Sequence, residues 1–409
     1  MHTEGRAEAP CPIRVLYLSW RDQENPEAGG SETFAERTSE VLAELGNEVT
    51  LFTSAFPGAQ PETTHGHVRV VRRGGRFTCY LRGLAHVARH GSDYDVIIDV
   101  QNGVPFWSPL TSRVPVVNLV HHVHRDQWGV IFGPRVARFG WFLESKVAPR
   151  VYRKSRYVTV SQATRTDLDD LGIAPHRVDL VYNGNDLPTS PPNVPLTTHP
   201  SIVVLGRLVP HKQVEIAIDI LAALGEQHPD LRLDIVGTGY WHDDLVEHAA
   251  RCGVTDRVQF HGFVEESTKH EILARSWLML LPSHKEGWGL TIVEAGLHGT
   301  PALAFAHAGG PSESIMDGLT GVLCNDVPDM QQQVNALLAD HGTRQGLGEA
   351  ARQHARSFDW HDSGLRLEAT LRSVLNLPHR AVPETPSDVV PAAEVDLEDL
   401  EQDLEPLPR

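Results

Sequence analysis

Apolar residues recur along this chain in two alternating spacings. Short apolar runs, typical of strands buried on both faces, alternate with longer stretches in which apolar residues recur every three or four positions, as on one face of a helix. This order predicts strand–helix–strand units and therefore parallel sheets covered by helices. The predicted strands cover residues 15–20, 48–54, 68–71, 96–100, 114–120, 157–161, 201–206, 231–237, 258–262, 277–281, 301–305 and 321–323.

The predicted units fall into two groups separated by a proline-rich segment. Residues 183–200 contain five prolines and little periodicity, so we interpret them as a linker. A chain of 409 residues is also too long for one typical core. We therefore predict an α/β protein with two Rossmann-like domains, whose parallel sheets face an interdomain cleft suited to a large polar substrate.

The stretch HKEGWGLTIVEA, residues 284–295, follows a predicted strand and combines a glycine loop with the start of a helix at Leu290. Unpaired N–H groups at a helix start suit an anionic oxygen, and Gly287 and Gly289 let the backbone approach it closely. We therefore expect the amides of Gly289, Leu290 and Thr291 to bind a diphosphate.

Two carboxylates accompany this loop. Glu286 lies within it and Glu294 lies about one turn into the helix. Carboxylates repel phosphate but accept hydrogen bonds from hydroxyl groups, which a ribose and a hexose both offer. The segment therefore predicts a site for a nucleotide-sugar.

Three further motifs follow predicted strands. Gly29-Gly30-Ser31-Glu32 forms a glycine loop, and we expect Ser31 to cap the following helix, which ends near Gly46. Arg207 and Lys212 follow the first strand of the second group and offer two cations. His121 and His122 end a strand at the sheet edge where ligands bind in open α/β sheets. Since successive side chains of a strand point to opposite sides, we expect only one of these histidines to serve.

In this order, the three motifs and the Glu-x7-Glu spacing resemble the retaining GT-B glycosyltransferases of family four, over residues 14–377. The resemblance implies that Arg207 and Lys212 bind the donor phosphates and that Gly30 lies against the donor. It also implies that His121 is the active-site histidine, that Glu286 contacts the sugar ring as a catalytic residue and that Glu294 binds ribose hydroxyls. The expected divisions are an N-terminal extension (1–12), a Rossmann-like acceptor domain (13–190), a Rossmann-like donor domain (191–357), a helix that crosses back to the first domain (358–377) and an acidic tail (378–409).

The activity that the resemblance implies is transfer of a hexose from a nucleoside-diphosphate sugar to an acceptor hydroxyl with retention of configuration. We expect no cofactor and no metal, because two cations and a helix start can stabilise the leaving diphosphate. Two alternatives remain open. One is a nucleotide-sugar epimerase of the same architecture, and the other is a non-catalytic nucleotide-sugar binding protein.

The charge and cysteine content narrow the function classes. The formal net charge of −17 argues against general nucleic-acid binding. Residues 378–409 carry nine acidic residues against two arginines and are rich in proline, so we expect this tail to be disordered. The four cysteines show no spacing typical of a disulfide framework or a zinc site. With no apolar leader in the sequence, we expect a cytoplasmic protein.

A basic and aromatic segment leaves the acceptor undecided. Residues 134–157 contain seven lysines and arginines together with Phe139, Trp141 and Phe142. Such a segment can lie on the inner face of an anionic membrane, which would suit a lipid acceptor. It can equally pack its aromatic residues on the first sheet and leave the basic residues solvated, with a small molecule or an oligosaccharide as acceptor.

Overall fold

A computed structural model of the chain describes residues 11–125, 127–188, 192 and 194–382. Its first sheet has eight strands in the spatial order β3-β4-β2-β1-β5-β6-β7-β8. All neighbours pair in parallel except β3 and β4, which are antiparallel. The strands are β1 (Arg14–Leu18), β2 (Glu48–Thr53), β3 (Glu62–His65), β4 (Val68–Arg72), β5 (Val96–Gln101), β6 (Val116–Val120), β7 (Arg156–Thr159) and β8 (Val178–Leu180).

Helices cover the first sheet on both faces. A π-helical turn at Leu143–Val147 joins α4 and α5 into one continuous helical segment, and 3₁₀ turns occur at Gly91–Asp93, Ser108–Leu110 and Pro175–Arg177. The α-helices are α1 (Gly30–Glu44), α2 (Cys79–His90), α3 (Gln127–Ile131), α4 (Pro134–Phe142), α5 (Ala148–Val151) and α6 (Gln162–Asp170).

The second sheet has six strands, all parallel, in the order β11-β10-β9-β12-β13-β14. Its strands are β9 (Ser201–Leu205), β10 (Arg232–Val236), β11 (Val258–Gly262), β12 (Leu278–Leu281), β13 (Ala302–Phe305) and β14 (Gly321–Cys324). Its helices are α7 (Glu215–Ala223), α8 (His242–Arg251), α9 (Glu266–Arg275), α10 (Leu290–Leu297), α11 (Pro311–Ser314), α12 (Val327–Ala339) and α13 (His341–Ala355), with 3₁₀ turns at Pro210–Lys212, Thr255–Arg257 and Ala306–Ala308. The predicted pair of parallel-sheet α/β domains is therefore confirmed.

The start of α1 differs from the sequence prediction. Gly29, with extended backbone, is the N-cap, and Ser31 is already the second residue of the helix. The Glu32 carboxylate accepts a hydrogen bond from the Gly29 N–H at 2.9 Å, so it satisfies the cap from within the helix. The prediction that Ser31 caps this helix is wrong, because the helix already begins at Gly30 and Ser31 lies inside its first turn, where its hydroxyl donates to the Glu32 carboxylate.

The last helix, α14 (Trp360–Val374), crosses from the second domain onto the first. The Asp359 side chain caps it by accepting from the His361 N–H at 2.7 Å. Gly364 allows close packing on α1, because a Cβ at this position would lie 2.3 Å from Cγ1 of Val41. Leu367 and Leu371 are fully buried in the same core as α1 and β1. The first domain is therefore completed by residues near the end of the chain.

Side-chain contacts also hold the two domains against each other. Glu313 of α11 accepts hydrogen bonds from the N–H groups of Gln162 and Ala163, at 2.8 and 2.9 Å, at the start of α6. A carboxylate there satisfies unpaired amides and complements the helix dipole. Tyr182 stacks on Trp288 at 4.7 Å between ring centroids. The two domains are thus in direct contact through side chains.

Residues beyond α14 contribute to the first domain as well. The buried Glu368 carboxylate pairs with Arg372 at 3.0 Å and with Arg380 at 2.9 Å, and Asn47 donates to it at 3.0 Å. Arg380 also donates to the carbonyl oxygen of Leu45 at 2.7 Å. The disorder expected of the tail therefore does not begin at residue 378. The rest of that tail, residues 383–409, lies outside the described residues.

We predict that truncation after Leu377 destabilises the protein, whereas truncation after Val382 does not. The shorter chain loses the Arg380 guanidinium from a buried carboxylate, a charged contact worth roughly 1.5–3 kcal/mol. Thermal unfolding of both truncations and of full-length Arg380→Ala provides the comparison. Equal melting temperatures for the two truncations would show that Arg380 contributes nothing to stability.

Candidate functional site

The loop between β12 and α10 has the backbone conformation that its glycines predict. Gly289 has φ of +93° and is the N-cap of α10, so the helix starts at Leu290 and continues with Thr291. A side chain at this φ would be strained, and its Cβ would lie 2.9 Å from Cδ1 of Ile292. The first amides of α10 have no acceptor within the helix and mark its positive end. This is the geometry expected of a diphosphate site.

Glu286 is fixed in the same loop and forms an ion pair with Lys212. Its N–H donates to the carbonyl oxygen of Ala308 at 2.7 Å, and its own carbonyl oxygen accepts from Gly310 at 3.2 Å. Burial favours the neutral carboxyl, but the Lys212 ammonium outweighs burial and holds the pKa of Glu286 below its ordinary value. Glu286 is therefore a carboxylate at neutral pH, and the two predicted site residues lie side by side.

Lys212 is presented by the short turn Pro210–Lys212. The next residue, Gln213, has a left-handed backbone with φ of +49°, and the His211 carbonyl oxygen accepts from the His284 N–H at 3.0 Å. Burial, together with the charges of Lys212 and Arg207, lowers the pKa of His211 to about 4. His211 is therefore neutral, and the turn is anchored directly to the loop that carries Glu286.

Arg207 is exposed and reaches the first glycine loop of the other domain. A Cβ at Gly29 would lie 3.4 Å from Nε of Arg207, and one at Gly30 would lie 3.0 Å from Cδ1 of Leu290. Both glycines therefore make room for groups of the second domain at the cleft. The predicted residues Gly30, Arg207 and Leu290 are brought together by this contact.

The Gly237–Gly239 loop supports the segment that carries Arg207. A Cβ at Gly237 would lie 1.9 Å from the carbonyl oxygen of Gly206, and one at Gly239 would lie 2.0 Å from that of Leu208. Leu208 also donates its N–H to the carbonyl oxygen of Thr238 at 2.9 Å. These glycines thus allow one loop to lie directly on the backbone of the other.

His121 ends β6 and is 5% exposed. Its ring meets Phe34 of α1 edge to face at 5.2 Å, and its Nε2 is buried with no hydrogen-bond partner among the described residues. Burial, with a smaller effect from His124, lowers the pKa of His121 to about 4. The site therefore contains an uncharged imidazole with an unused polar atom.

The second domain touches this histidine through its backbone. A Cβ at Gly287 would lie 2.6 Å from the carbonyl oxygen of His121 and 3.7 Å from Nδ1 of His122. His122 stacks on His124 at 4.1 Å between ring centroids, and its Nε2 pairs with Oε1 of Gln127 at 3.0 Å. His122 is thus engaged by its own domain, while Nε2 of His121 remains available.

Glu294, the second predicted carboxylate, pairs through Oε1 with Lys269 of α9 at 2.7 Å. Lys269 also contacts Glu266 at 2.7 Å. Burial lowers the pKa of Lys269, but the two carboxylates outweigh burial and raise it, so the ammonium stays charged. Lys269 fixes Glu294 and leaves Oε2 able to accept hydrogen bonds from a ligand. No short motif in the sequence signals this lysine.

Two domain-bridging residues were not identified from the sequence. Glu313 lies in α11, just after a glycine loop, and contacts the start of α6, while Lys285 pairs with Asp167 of the first domain at 2.8 Å. Contacts between residues so far apart in the chain depend on domain placement, which periodicity does not encode.

Two family models match the chain. Glycosyltransferase Family 4 matches residues 28–188, and Glycosyl transferases group 1 matches residues 189–354. Together they span both sheets and the loops described above. The chain is a family 4 glycosyltransferase. The resemblance inferred from its motifs is therefore confirmed.

The transferase is similar along most of its length to characterised proteins. It is 29% identical over 389 residues to a glycogen synthase of Mycobacterium tuberculosis, covering 85% of this chain and 92% of that protein. It is 28% identical over 386 residues to a D-inositol 3-phosphate glycosyltransferase of Xylanimonas cellulosilytica, covering 82% of this chain and 90% of that protein. Its fold matches HepE of Anabaena, solved in complex with UDP and glucose, with a TM-score of 0.68 and 20% identity over 88% of this chain and all of that one. The predicted GT-B fold is confirmed.

We predict that Lys212→Ala weakens binding of a nucleoside diphosphate. Loss of one charge-assisted contact costs roughly 1.5–3 kcal/mol, or about 10- to 150-fold in affinity. Calorimetric titration with UDP and with GDP measures the change, and Lys146→Ala, which alters an exposed lysine of the first domain, is the matched control. Unaltered affinity in the Lys212 variant would remove Lys212 from the phosphate site.

Proposed function

We propose that the transferase moves a hexosyl group from a nucleoside-diphosphate sugar to an acceptor hydroxyl, with retention of anomeric configuration and without a divalent metal ion. One observation carries this proposal. Contact between the two domains places three groups at the same edge of the cleft. These are the uncharged His121, the Lys212–Glu286 ion pair and the start of α10. A nucleotide-sugar offers a diphosphate to the cations and hydroxyl groups to the carboxylates.

The donor assignment divides these groups by their chemistry. Arg207, Lys212 and the amides of Gly289 to Thr291 bind the diphosphate, and Glu294 accepts from the ribose through Oε2. Lys212 has three donors, so it can hold Glu286 and a phosphate oxygen at once. The fold match to HepE in complex with UDP and glucose supports this class of donor.

The positive charge that stabilises the leaving diphosphate comes from the protein itself. Breaking the bond between the anomeric carbon and the phosphate leaves negative charge on the diphosphate, which Arg207, Lys212 and the α10 dipole stabilise. Because these charged groups are already in position before the reaction, little free energy is spent on rearranging them as the diphosphate leaves. A divalent ion is therefore not required for departure.

We propose that the acceptor attacks from the face that the diphosphate leaves. The acceptor oxygen bonds to the anomeric carbon as the carbon–phosphate oxygen bond breaks, and the departing phosphate takes the acceptor proton. Glu286 forms an ion pair with Lys212, so it is held as a hydrogen-bond acceptor for the sugar instead of serving as a nucleophile. The neutral His121 offers Nε2 to a sugar hydroxyl.

We predict that nucleotide-sugar turnover survives EDTA and that the product retains the donor's configuration. Release of nucleoside diphosphate from a panel of nucleotide-sugars and acceptors identifies an active pair, and NMR of the product gives the anomer. His121→Asn is expected to lower the rate, whereas His90→Asn, at an exposed position in the first domain, leaves it unchanged.

Three outcomes would contradict parts of this proposal. Loss of activity in EDTA that Mn²⁺ or Mg²⁺ restores would overturn metal independence, and an inverted product would overturn retention. Conversion of one nucleotide-sugar into another without transfer would identify an epimerase.

The acceptor side has a distinctive surface on the first domain. Phe139 and Phe142 are 60% and 52% exposed, contrary to packing of both aromatic residues on the sheet, while Trp141 packs into the core. Beside them, a hollow of about 600 Å³ is lined by Leu110, Phe142, Lys146 and Arg150, among others. Exposed phenylalanine side chains beside lysine and arginine side chains suit binding to an anionic lipid surface. No helix among the described residues is long and apolar enough to cross a bilayer.

We propose that this surface contacts anionic lipid and that the acceptor is presented there. Vesicles that contain an anionic lipid are expected to pellet the transferase at low salt and to release it at high salt, because surface charges are screened. Phe139→Ser with Phe142→Ser is expected to reduce pelleting, and Phe263→Ser, at an exposed residue of the second domain, is the control. No pelleting at low salt would remove the lipid proposal and favour a soluble acceptor.

A further inference from the structure

Three metal-ligating atoms converge between helices α7 and α8, on residues that take no part in the site described above. Nε2 of His248 lies 2.7 Å from Oδ1 of Asp219, and Sγ of Cys252 lies 3.6 Å from the same oxygen. Sγ of Cys252 also lies 3.7 Å from Nε2 of His248. Among the described residues this is the cluster whose three side chains could hold one ion.

The helix spacing places these side chains together. His248 and Cys252 are four residues apart, so they share one face of the α8 segment, and Asp219 faces them from α7. The spacing of the cysteines alone does not reveal this mixed pair of a histidine and a cysteine. Asp219 could not be assigned to the pair before the packing of α7 on α8 was known.

The cluster does not have the geometry of a nucleophilic triad. In such a triad the imidazole uses one ring nitrogen for the carboxylate and the other for the nucleophile. Here the same nitrogen, Nε2, faces both Asp219 and Cys252. Three atoms that point at one place suit a shared cation instead.

The distances fit a tetrahedral ion of the size of Zn²⁺. With bonds of about 2.3 Å to sulfur and about 2.0–2.2 Å to nitrogen and oxygen, tetrahedral ligand atoms lie roughly 3.3–3.7 Å apart. The two distances that involve Sγ already have this length. The Asp219–His248 distance must lengthen as an ion replaces the shared proton, and Asp219 is half-exposed, so its side chain has room to move.

A further carboxylate precedes Asp219 on the same helix. Glu215 lies one turn before Asp219, and its Oε2 is buried without a hydrogen-bond partner among the described residues. An unpaired buried carboxylate oxygen is costly, and coordination to a cation would satisfy it.

One group opposes a cation at this place. Arg251 approaches Nδ1 of His248 at 3.2 Å, where a metal-bound imidazole would carry a proton. Arg251 is exposed and lies 3.6 Å from Glu247, so it can turn to that carboxylate without loss of a partner. Removal of the arginine should therefore strengthen metal binding.

We propose that Asp219, His248 and Cys252 form a Zn²⁺ site on the outer helices of the second domain, with a fourth position for Glu215 or water. Binding releases the Cys252 thiol proton, while the imidazole keeps its single proton by carrying it on Nδ1 once Nε2 coordinates the ion. The ion would tie α7 to α8. Because α7 begins three residues after Lys212, such a link would steady the base of the donor site without contacting the donor.

Cobalt titration of the full-length, untagged protein tests this site directly. Co²⁺ is expected to bind with one equivalent showing a thiolate-to-cobalt charge-transfer band, which Zn²⁺ abolishes by displacement. Cys252→Ser should remove the band, and Cys252→Ser and Asp219→Asn should each weaken Zn²⁺ binding by roughly tenfold or more. Cys11→Ser alters an exposed cysteine outside the cluster and should preserve the band.

Two further measurements separate the site from background binding. Zn²⁺ should raise the melting temperature of the wild-type protein but not of Cys252→Ser, since a ligand of the folded state stabilises it. Arg251→Ala should bind Zn²⁺ more tightly than the wild type. Absence of the thiolate band in the wild type, or equal Zn²⁺ affinity in Cys252→Ser, would assign binding to scattered histidines and overturn the proposal. None of these readouts depends on transferase activity.

Discussion

The close approach of two backbones across the cleft is the constraint on which the site depends. Gly287 lies so near the carbonyl oxygen of His121 that a Cβ would come within 2.6 Å of it, and Gly30 leaves similar room for Leu290. Because these glycines have no side chains, the loops and helix starts of the two domains can meet there. The meeting places a histidine from one domain beside a carboxylate and an ammonium from the other. Neither domain holds this set of groups alone.

Charge is arranged around that contact so that each group keeps a defined state before a donor arrives. The ammonium of Lys212 keeps Glu286 ionised despite burial, and burial keeps His121 and His211 neutral. Lys269 of the neighbouring helix forms an ion pair with Glu294. The cleft thus separates a cationic side from hydroxyl-accepting groups, and charges that are fixed before reaction are the preorganisation that charge-separating reactions need.

Much of this architecture could be predicted from the sequence because its signals are local. Apolar runs and glycine loops marked most of the strands and the loop from Glu286 to Thr291, since those residues must be buried or adopt unusual backbone angles wherever they lie. The cap of α1 was misassigned because serine is a favoured N-cap residue, whereas the backbone geometry places the cap two residues earlier, at Gly29. The short edge strand β3 went unrecognised because its sequence ETTH has no apolar run.

Partners that come from distant parts of the chain could not be predicted. Three such contacts depend on how helices and domains are placed. They are the hydrogen bond of Glu313 to the start of α6, the ion pair of Lys269 with Glu294 and the ion pair of Arg380 with Glu368. No spacing rule links such residues. The same limitation hid the cluster of Asp219, His248 and Cys252, whose members look like isolated surface residues in sequence.

The crossing of α14 has a consequence for biosynthesis. Trp360, Leu367 and Leu371 belong to the same buried core as Phe34 and Leu42, so the first domain lacks part of its interior until nearly the whole chain has left the ribosome. During that interval the apolar face of α1 is exposed to solvent while the second domain is still being made. Domains usually fold in order of synthesis, but here the first domain to emerge is completed only after the second domain has been made.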